Sequence, residues 1–547
     1  MEMMKKIPLG IDDYRIVSRE CYYVDKTLLI KDIATLPGGS VVLFTRPRRF
    51  GKSLALSMLD TFFDEKIGDA SIYFQDKAIA KESEYALMGG FPTVLISLKD
   101  MHSSDYESLL KQIKEIIRRE YARHDELESS PQLSENDIAY CRKAIAGELD
   151  ESELPDSLVR LILMLEAHHQ KKVCLFIDEY DTPIQDSYEG HYYEQAISFF
   201  RLFYGKALKG NHSLRVAILT GVMRIAKESL FSGLNNLIVD NGFDSAFFEY
   251  FGFTRQEAAK LCAYFGAEHP FEELWKWYGG YHFGGEDIMN PWSILSYFRF
   301  KKTLKEYWIN TSSVSILAEV GLSYSSLLGA LLNGEVLSSR PSFSISYADI
   351  SESADKFLGF LITTGYLTLT QDGVAIPNLE TSLALRNEVI ARFASSDVGA
   401  SIYAMKRPIV SGDSEAFSML LKRVLLHSFS YFDFQQERSY QAMTLTLVSL
   451  LFDDCIVKSE VLEGSGRCDI LIQPRETGHF GAVIEIKHIK NKTSEARLSD
   501  RAKAALEQIK KKGYAEDLIL NGARPILAYG IAFYQKKACV EAEILNN

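Results

Sequence analysis

A nine-residue segment near the start of the chain combines residue types that suit the binding of a triphosphate. It reads Thr45-Arg-Pro-Arg-Arg-Phe-Gly-Lys-Ser53, and its last three residues have the form of the end of a P-loop. Gly51 lets the backbone approach phosphates, and a helix that begins near Lys52 would point its amide groups at them. Lys52 would reach the β- and γ-phosphates, and Ser53 would bind Mg²⁺.

This segment departs from the full P-loop pattern at its first position. The pattern has a glycine five residues before Gly51, where this chain has Arg46. A Gly-Lys-Ser triplet alone is a weak signal. The apolar strand predicted at 41–44 and the helical pattern at 52–63 therefore supply most of the specificity.

Two acidic residues follow a later apolar strand, predicted at 173–177. Asp178 and Glu179 would lie at the carboxyl end of that strand, where open α/β sheets bind ligands. Asp178 would hold Mg²⁺ through water, and Glu179 would act as the general base on the attacking water. The alternative is that both residues only cap a helix or end a strand.

A fourth strand, predicted at 216–219, ends in Thr220-Gly-Val-Met-Arg224. Thr220 could sense the γ-phosphate, and Arg224 could neutralise charge in the transition state. Alternatively, Thr220 only makes a turn and Arg224 pairs with a surface acid. The predicted nucleotide-binding residues are Arg46, Pro47, Arg48, Arg49, Phe50, Gly51, Lys52, Ser53, Asp178 and Thr220.

A second group of residues, far along the chain, suits metal-dependent cleavage of phosphodiesters. Asp469 lies in one predicted strand, and Glu485 and Lys487 lie in the next. Residues two apart in a strand share a face, so Glu485 and Lys487 project together, and Asp469 meets them if the strands pair as a hairpin. The two carboxylates would hold Mg²⁺, and Lys487 would orient a water or the phosphate. The alternative is an edge-strand charge pattern that prevents aggregation.

This trio resembles the short signature of PD-(D/E)XK nucleases. Glu437 or Glu460 could supply a further metal ligand, although Tyr440 is followed by Gln441 where the family pattern has histidine. The downstream Gln508 and Tyr514 resemble the Gln…Tyr element of RecB-type nucleases. The candidate nucleic-acid contacts are Arg467, Lys490, Gln508 and Tyr514.

Basic residues are concentrated after the predicted metal site. Between 487 and 512 the chain has nine lysines or arginines, at 487, 490, 492, 497, 501, 503, 510, 511 and 512, and only three acids. This segment is locally positive in a chain whose formal net charge is −12. It therefore predicts contact with nucleic acid, with a solvated helix stabilised by charge pairs as the alternative.

The elements that would position these residues alternate between apolar strands and helices. Continuous apolar strands separated by helices predict an α/β protein with a parallel sheet covered on both faces. We expect three parts: a P-loop domain at 1–250, a mostly helical lid or middle region at 251–410 in which a winged-helix arrangement is open, and an α/β domain at 411–547. A last strand is predicted at 525–533.

Several motifs together resemble the bacterial AAA-ATPase-like proteins that carry a C-terminal PD-(D/E)XK nuclease domain. They are the 46–53 segment, Tyr23-Val-Asp-Lys-Thr27, Asp178-Glu-Tyr-Asp181, Thr220-Gly-Val-Met-Arg224, and Trp277-Tyr-Gly-Gly-Tyr281 with Asn290-Pro-Trp292. The resemblance implies an additional-strand-type P-loop core with a helical lid, a restriction-endonuclease-like second domain, and ATP as the nucleotide. It makes an arginine at position 46 usual. It also places residues 23–27 near the nucleotide, with a surface turn as the alternative.

Composition limits the class of protein. Hydrophobic residues are 47% and charged residues 24% of the chain, which excludes disordered and fibrous proteins. The seven cysteines form no CxxC pair and indicate reduced thiols, and no apolar stretch is long enough for a membrane span or signal peptide. We therefore expect a cytoplasmic protein with no membrane partner.

The sequence favours an ATPase with Mg²⁺ that is coupled to a Mg²⁺-dependent nuclease acting on DNA or RNA. The alternative is a nucleotide-switched regulatory or defence protein whose C-terminal domain binds nucleic acid or protein without cleaving. The sequence does not decide whether the protein forms a homo-oligomer. Arg48 or Arg49 could reach the nucleotide of a neighbouring subunit or contact the phosphates bound by the same chain.

Overall fold

The computed structural model describes residues 4–225, 230–231, 234–243, 247–308, 324–343, 345–393, 398–428, 437–452, 455–463, 466–491 and 493–546. The chain divides into two units. One consists of Met1–Asn310 and Ser339–Thr381, and the other of Thr311–Ser338 and Ser382–Asn547. No helix within the described ranges combines the length and the apolar character needed to cross a membrane.

The described α-helices are α1 (Tyr14–Glu20), α2 (Leu28–Ala34), α3 (Lys52–Phe63), α4 (Ser71–Phe74), α5 (Tyr106–Arg123), α6 (Glu135–Ala146), α7 (Ser157–His169), α8 (Thr182–Glu189), α9 (Tyr193–Leu208), α10 (Arg255–Phe265), α11 (Phe271–Tyr278), α12 (Pro291–Arg299), α13 (Ser325–Leu332), α14 (Ala354–Thr364), α15 (Leu379–Phe393), α16 (Val398–Ala404), α17 (Lys406–Ser411), α18 (Ser414–Ser428), α19 (Glu437–Leu451), α20 (Glu495–Lys512) and α21 (Glu516–Leu520).

The described strands are β1 (Ser40–Thr45), β2 (Thr93–Ser97), β3 (Val173–Asp178), β4 (Leu214–Gly221), β5 (Leu237–Asp240), β6 (Phe253–Thr254), β7 (Tyr281–Phe283), β8 (Glu286–Met289), β9 (Thr368–Thr370), β10 (Gly373–Ala375), β11 (Cys455–Glu463), β12 (Gly466–Pro474), β13 (Gly481–His488), β14 (Ile526–Tyr534) and β15 (Lys537–Asn546).

The first unit is built on a parallel sheet with the strand order β2-β3-β4-β1-β5. Strand β4 lies between β1, which leads into the phosphate loop, and β3, which leads to the acidic pair. This inserted strand confirms the additional-strand type of P-loop fold. Every residue of β1 and β3 is buried, as expected for strands that are covered on both faces.

Short helices and hairpins follow the sheet in the same unit. Helix α10 begins with a capping box formed by Thr254 and Glu257. Strands β6, β8 and β7 form a small antiparallel sheet, and β9 and β10 form a hairpin. The region 251–410, which we expected to be mostly helical, therefore contains short strands as well. Its aromatic and glycine residues show no clear strand pattern in the sequence.

The second unit is built on a mixed sheet with the strand order β11-β12-β13-β14-β15. Strands β13 and β14 are parallel, and the other neighbours are antiparallel. Residues such as Ile470, Ile484 and Ile531 pack with helices α18 and α19 on one face, and Leu471 and Val483 pack with α20 and α21 on the other. The unit is the α/β domain expected of the PD-(D/E)XK fold.

The prediction that the strand at 525–533 is the last one is wrong. Strand β15 follows it and pairs with it in antiparallel fashion over nearly its whole length. Its sequence alternates charged residues with small apolar ones, so it reads as a surface segment. Such a pattern is typical of an edge strand with one buried face, and Ala538 and Val540 supply that face here.

Candidate functional site

The carboxyl ends of three neighbouring strands of the first unit meet at one edge of the sheet. Phe44 in β1 lies opposite Thr220 in β4, and Leu219 lies opposite Ile177 in β3. The loop after β1 leads directly into α3, which begins at Lys52. The phosphate loop, the acidic pair and Thr220 are therefore adjacent because of strand order alone.

Ser53, Asp178 and Thr220 form a hydrogen-bonded group at this edge. The Ser53 hydroxyl donates to Oδ2 of Asp178 at 2.6 Å, and the Thr220 hydroxyl donates to Oδ1 at 2.6 Å. Asp178 and Thr220 are buried. A buried carboxylate that accepts hydrogen bonds from two hydroxyl groups is held in one orientation. Ser53 and Asp178, the two residues expected to bind Mg²⁺, therefore lie side by side.

Lys52 closes the phosphate loop on itself. Its Nζ donates to the carbonyl oxygens of Arg46 at 2.9 Å and Pro47 at 3.0 Å. Burial lowers the pKa of Lys52, and the nearby carboxylates of Glu179 and Asp178 oppose that effect. An ammonium group has three donors, so one remains for a phosphate oxygen.

Glu179 follows Asp178 with a backbone φ of +52°, an uncommon conformation for glutamate. Its Oε2 accepts a hydrogen bond from the Thr182 hydroxyl at 3.1 Å. Burial raises the pKa of Glu179, and Lys52 counteracts this rise. A carboxylate with a raised pKa next to a phosphate loop suits the role of a general base.

Asp181 also contributes to the site, although in the sequence it was only part of the family motif. Its Oδ2 accepts the backbone amides of Val222 at 2.9 Å and Met223 at 2.8 Å. A side chain at Gly221 would approach Asp181 Oδ1 to 2.6 Å. Asp181 therefore holds the segment after β4, which lies between Thr220 in the strand and Arg224.

The other predicted residues lie around this centre. The Arg46 side chain is buried in an ion pair with Asp240, and Phe50 packs on Tyr281. Arg49 stacks on the Trp292 ring with its guanidinium carbon 4.0 Å from the ring centre. The side chain of Arg224 is exposed, three residues after the end of β4. Nucleotide binding by Arg46, Pro47, Arg48, Arg49 and Phe50 stays a prediction.

Residues 23–27 form hydrogen bonds with several other parts of the first unit. The Tyr23 hydroxyl contacts the sulfur of Met58 in α3, and Asp25 accepts the amide of Ala78. Lys26 donates to both carboxylate oxygens of Glu257 at 2.7 Å. These bonds connect the segment to α3 and to the start of α10, and its proximity to a nucleotide stays a prediction.

The loop fits a Mg²⁺-nucleotide by two observations. Helix α3 has no side chain that caps its first amides, because its N-cap is Gly51 with φ of +88°. A side chain built on Gly51 would meet no atom within 4 Å, so the space above these amides is open. Uncapped amides beside a buried carboxylate suit phosphates and a hard cation.

In the second unit, Asp469 and Glu485 lie on paired strands. Ile470 in β12 is opposite Ile484 in β13, which brings the two carboxylates to the same end of the hairpin. Asp469 Oδ2 accepts the amide of Ile486 at 2.6 Å, and its Oδ1 accepts the Gln441 side-chain amide at 3.2 Å. The structure thus brings together the residues that the spacing predicted.

Glu485 accepts hydrogen bonds from two other predicted residues, Lys487 and Gln508. Its Oε1 accepts Lys487 Nζ at 2.8 Å and Gln508 Nε2 at 2.5 Å. Its Oε2 is buried and has no hydrogen-bond partner among the residues that the structure describes. Leaving such an oxygen unsatisfied is costly, so the site suits a cation at this position.

Burial and mutual repulsion control the charges of this site. Burial, and then the charge of Glu485, raise the pKa of Asp469 to about 7. Burial also raises the pKa of Glu485, against the effect of Lys487. For Lys487, burial is the largest single effect and lowers the pKa, but the hydrogen bond to Glu485 and the charges of Glu485, Asp469 and Glu437 together raise it. Two carboxylates that resist ionisation together are typical of a site that gains by binding a cation.

The remaining predicted residues surround this centre. Glu437 Oε2 accepts the amide of His488 at 2.9 Å, and its charge contributes to the raised pKa of Asp469. Gln508 also lies 3.4 Å from the Tyr514 hydroxyl, and Tyr514 is only 2% exposed. In this position Tyr514 supports Gln508. Arg467 and Lys490 are exposed. Lys492 and the side chain of Glu460 lie outside the described residues.

Within the described ranges, no three histidine, cysteine, aspartate or glutamate side chains converge into a complete metal cage. Asp469 and Glu485 therefore stay the two carboxylates predicted to hold a metal, which would need water in its other positions. Mg²⁺ commonly keeps several waters and uses one or two carboxylates, so this donor set fits Mg²⁺.

Comparison with known proteins supports the two-part architecture. Residues 8–231 match the family model described as predicted AAA-ATPase, and residues 435–543 match the PD-(D/E)XK nuclease superfamily. A protein from Azotobacter chroococcum mcd 1, named for the 5′ region of vnfD and otherwise uncharacterised, is 27% identical over 71% of this chain and 70% of its own length. A Walker-type ATPase of Pyrococcus abyssi matches with 14% identity and a TM-score of 0.33, over 71% of this chain and 99% of its own.

These matches confirm the predicted architecture. An AAA-ATPase-like segment comes first in the chain, and a PD-(D/E)XK nuclease-like segment comes last.

Proposed function

We propose that this chain, with its AAA-ATPase-like and PD-(D/E)XK nuclease-like segments, is a cytoplasmic Mg²⁺-dependent ATPase coupled to a nuclease that acts on nucleic acid. The seven cysteines, which form no CxxC pair, support a reducing compartment. We further propose the division into a P-loop domain at 1–250, a lid or middle region at 251–410 and a nuclease-like domain at 411–547.

The observation that carries the ATPase proposal is the group of Ser53, Asp178 and Thr220 at the start of α3. Ser53 and Asp178 would hold Mg²⁺, which supplies neutralising charge on the β- and γ-phosphates. Lys52 would bind the same phosphates, and the amides at the start of α3 would orient them. Glu179 would take the proton of the attacking water, and Arg224 would balance charge on the transferred phosphoryl group.

The nuclease proposal depends on Glu485 and its neighbours. Asp469 and Glu485 would hold Mg²⁺, which lowers the pKa of a bound water and stabilises the phosphate under attack. Lys487 would orient that water or the phosphate. Gln508 keeps the Glu485 carboxylate in place at 2.5 Å, and Arg467 and Lys490 would contact the nucleic-acid backbone.

The ATPase proposal is tested by phosphate release from Mg²⁺-ATP. Lys52→Ala should abolish binding, whereas Glu179→Gln should retain binding and lose hydrolysis, because Glu179 acts only on the attacking water. A matched control is Arg123→Ala, which removes an arginine that pairs with Glu120 far from the loop in sequence. Hydrolysis by Glu179→Gln at the wild-type rate would refute the assigned role.

The nuclease proposal is tested with single- and double-stranded DNA and RNA in the presence of Mg²⁺. Asp469→Ala and Lys487→Ala should each abolish cleavage, while Lys458→Ala, which removes an exposed lysine of β11, should not. If the wild type binds nucleic acid but cleaves none of these substrates, with or without ATP, the regulatory alternative replaces the nuclease. Coupling between the units predicts that Lys52→Ala changes the cleavage rate.

A further inference from the structure

Arg46 stands where the P-loop pattern has glycine, and its side chain is turned away from solvent. Only 1% of the residue is exposed. Its Nη2 lies 2.7 Å from Asp240 Oδ1, and its Nη1 donates to the backbone oxygens of Thr45 at 2.9 Å and Asp240 at 3.1 Å. The two terminal guanidinium nitrogens thus face Asp240 at the end of β5 and Thr45 at the end of β1, while Nε and Nη2 make no hydrogen bond of good geometry within the described part of the chain.

The backbone of Arg46 is tied to two other parts of the site. Its amide donates to the oxygen of Gly221 at the end of β4, and its oxygen accepts Nζ of Lys52. One residue therefore connects β4, β5 and the lysine expected to bind phosphate. A shift of Arg46 would move the acceptor that orients Lys52.

The surroundings leave the Arg46 side chain little freedom. Its guanidinium carbon lies 4.9 Å from the centre of the Phe251 ring and 5.5 Å from that of Phe283. Gly242, with φ of +87°, comes so close that an added Cβ would lie 3.1 Å from the guanidinium carbon. Arginine stacked on aromatic rings and paired with a carboxylate is held by several contacts at once.

Residues 47–49 of the loop are also in contact with side chains and backbone from other parts of the unit. An added Cβ at Gly365 would lie 2.8 Å from Pro47, and Trp308 Nε1 donates to the oxygen of Arg48 at 3.4 Å. Arg49 has φ of +73°, which glycine would adopt more readily, and it stacks on Trp292. The loop has one glycine, and packing supplies the shape that glycines commonly allow.

We propose that Arg46 is a positioning residue that shapes the nucleotide loop through Asp240 and does not touch the nucleotide. This inference depends on the proposed ATPase function. It reverses the expectation that the Arg46 side chain binds phosphate. It also explains how an arginine can replace the first glycine of the pattern, since the side chain leaves the phosphate space and packs behind the loop.

The test is calorimetric titration of the full chain with a non-hydrolysable ATP analogue and with ADP, both with Mg²⁺, at a temperature where each variant is folded. Arg46→Gly restores the glycine of the pattern, yet it should weaken binding by about tenfold or more, because the acceptor of Lys52 shifts. Arg46→Lys keeps the charge without the fork and should fall between. Both ATP and ADP should bind more weakly, since Lys52 is expected to contact the β-phosphate that both contain.

Two variants that retain Arg46 separate positioning from direct contact. Asp240→Asn releases the guanidinium, and Gly242→Ala displaces it. Both should weaken binding, whereas an arginine that binds phosphate would bind equally well or better once freed. Arg123→Ala, which breaks another partly buried ion pair of this unit, should lower the melting temperature and leave the affinity unchanged.

Each outcome has one meaning. If the wild type binds neither nucleotide, the proposed ATPase function fails. If the wild type binds and Asp240→Asn and Gly242→Ala bind as well as it does, the positioning role fails.

Discussion

Metal binding to the second unit should release a proton near neutral pH, because Asp469 resists ionisation until a cation arrives. Its pKa is raised to about 7 by burial and by Glu485, whereas a metal ligand must be ionised. At pH 6 about nine-tenths of Asp469 is protonated, so Mg²⁺ should displace about 0.9 proton, against about 0.1 at pH 8.

The assay is calorimetric titration of Mg²⁺, or of Mn²⁺ as a tighter probe, in buffers of different ionisation enthalpy at pH 6 and pH 8. The Lys52→Ala background removes metal binding with nucleotide in the first unit. Metal affinity should rise with pH up to about 7 and then level off, and Asp469→Asn should lose both binding and proton release. Equal proton release at pH 6 and pH 8 would refute the assignment of Asp469 as a ligand with a raised pKa.

Three further predictions follow from single contacts. Thr220→Val removes the 2.6 Å bond to buried Asp178 and should cost about 1–3 kcal/mol of stability and weaken Mg²⁺-ATP binding, by thermal melting and calorimetry. Burial raises the pKa of buried Glu380 to about 7, so its ionisation opposes folding as the pH rises. Between pH 4.5 and pH 7 the free energy of unfolding of the wild type should therefore fall by about 3 kcal/mol relative to that of Glu380→Gln. A constant difference in denaturant melts would contradict that. Replacing both Arg467 and Lys490 by alanine should reduce the salt dependence of nucleic-acid binding by about one unit of slope per residue, and an unchanged slope would exclude them.

The elements that carry the two sites could be predicted because their local patterns are strong. Helix α3 was expected at 52–63 and begins and ends there. The spacing predicts that Glu485 and Lys487 share a face, whereas their meeting with Asp469 depended on a hairpin of β12 and β13, which the structure shows. Both predicted groups, around Asp178 and around Glu485, come together because each depends on a few adjacent strands.

What the sequence could not supply is the set of partners that are distant in the chain. Arg46 was expected to contact the phosphates, but its side chain pairs with Asp240 instead. Asp240 lies on the short strand β5, which no local sequence pattern predicted. Tyr514 was expected at a nucleic-acid surface, and it is buried beside Gln508 instead. Such positions are decided by tertiary packing, because a long polar side chain can point either into a site or behind it.

The most direct test of the account is a crystal structure of the chain with Mg²⁺ and a non-hydrolysable ATP analogue. The account predicts a triphosphate on the first amides of α3, in contact with Lys52, and a Mg²⁺ ion between the Ser53 hydroxyl and Asp178. A nucleotide bound elsewhere, or a metal that avoids both Ser53 and Asp178, would contradict it.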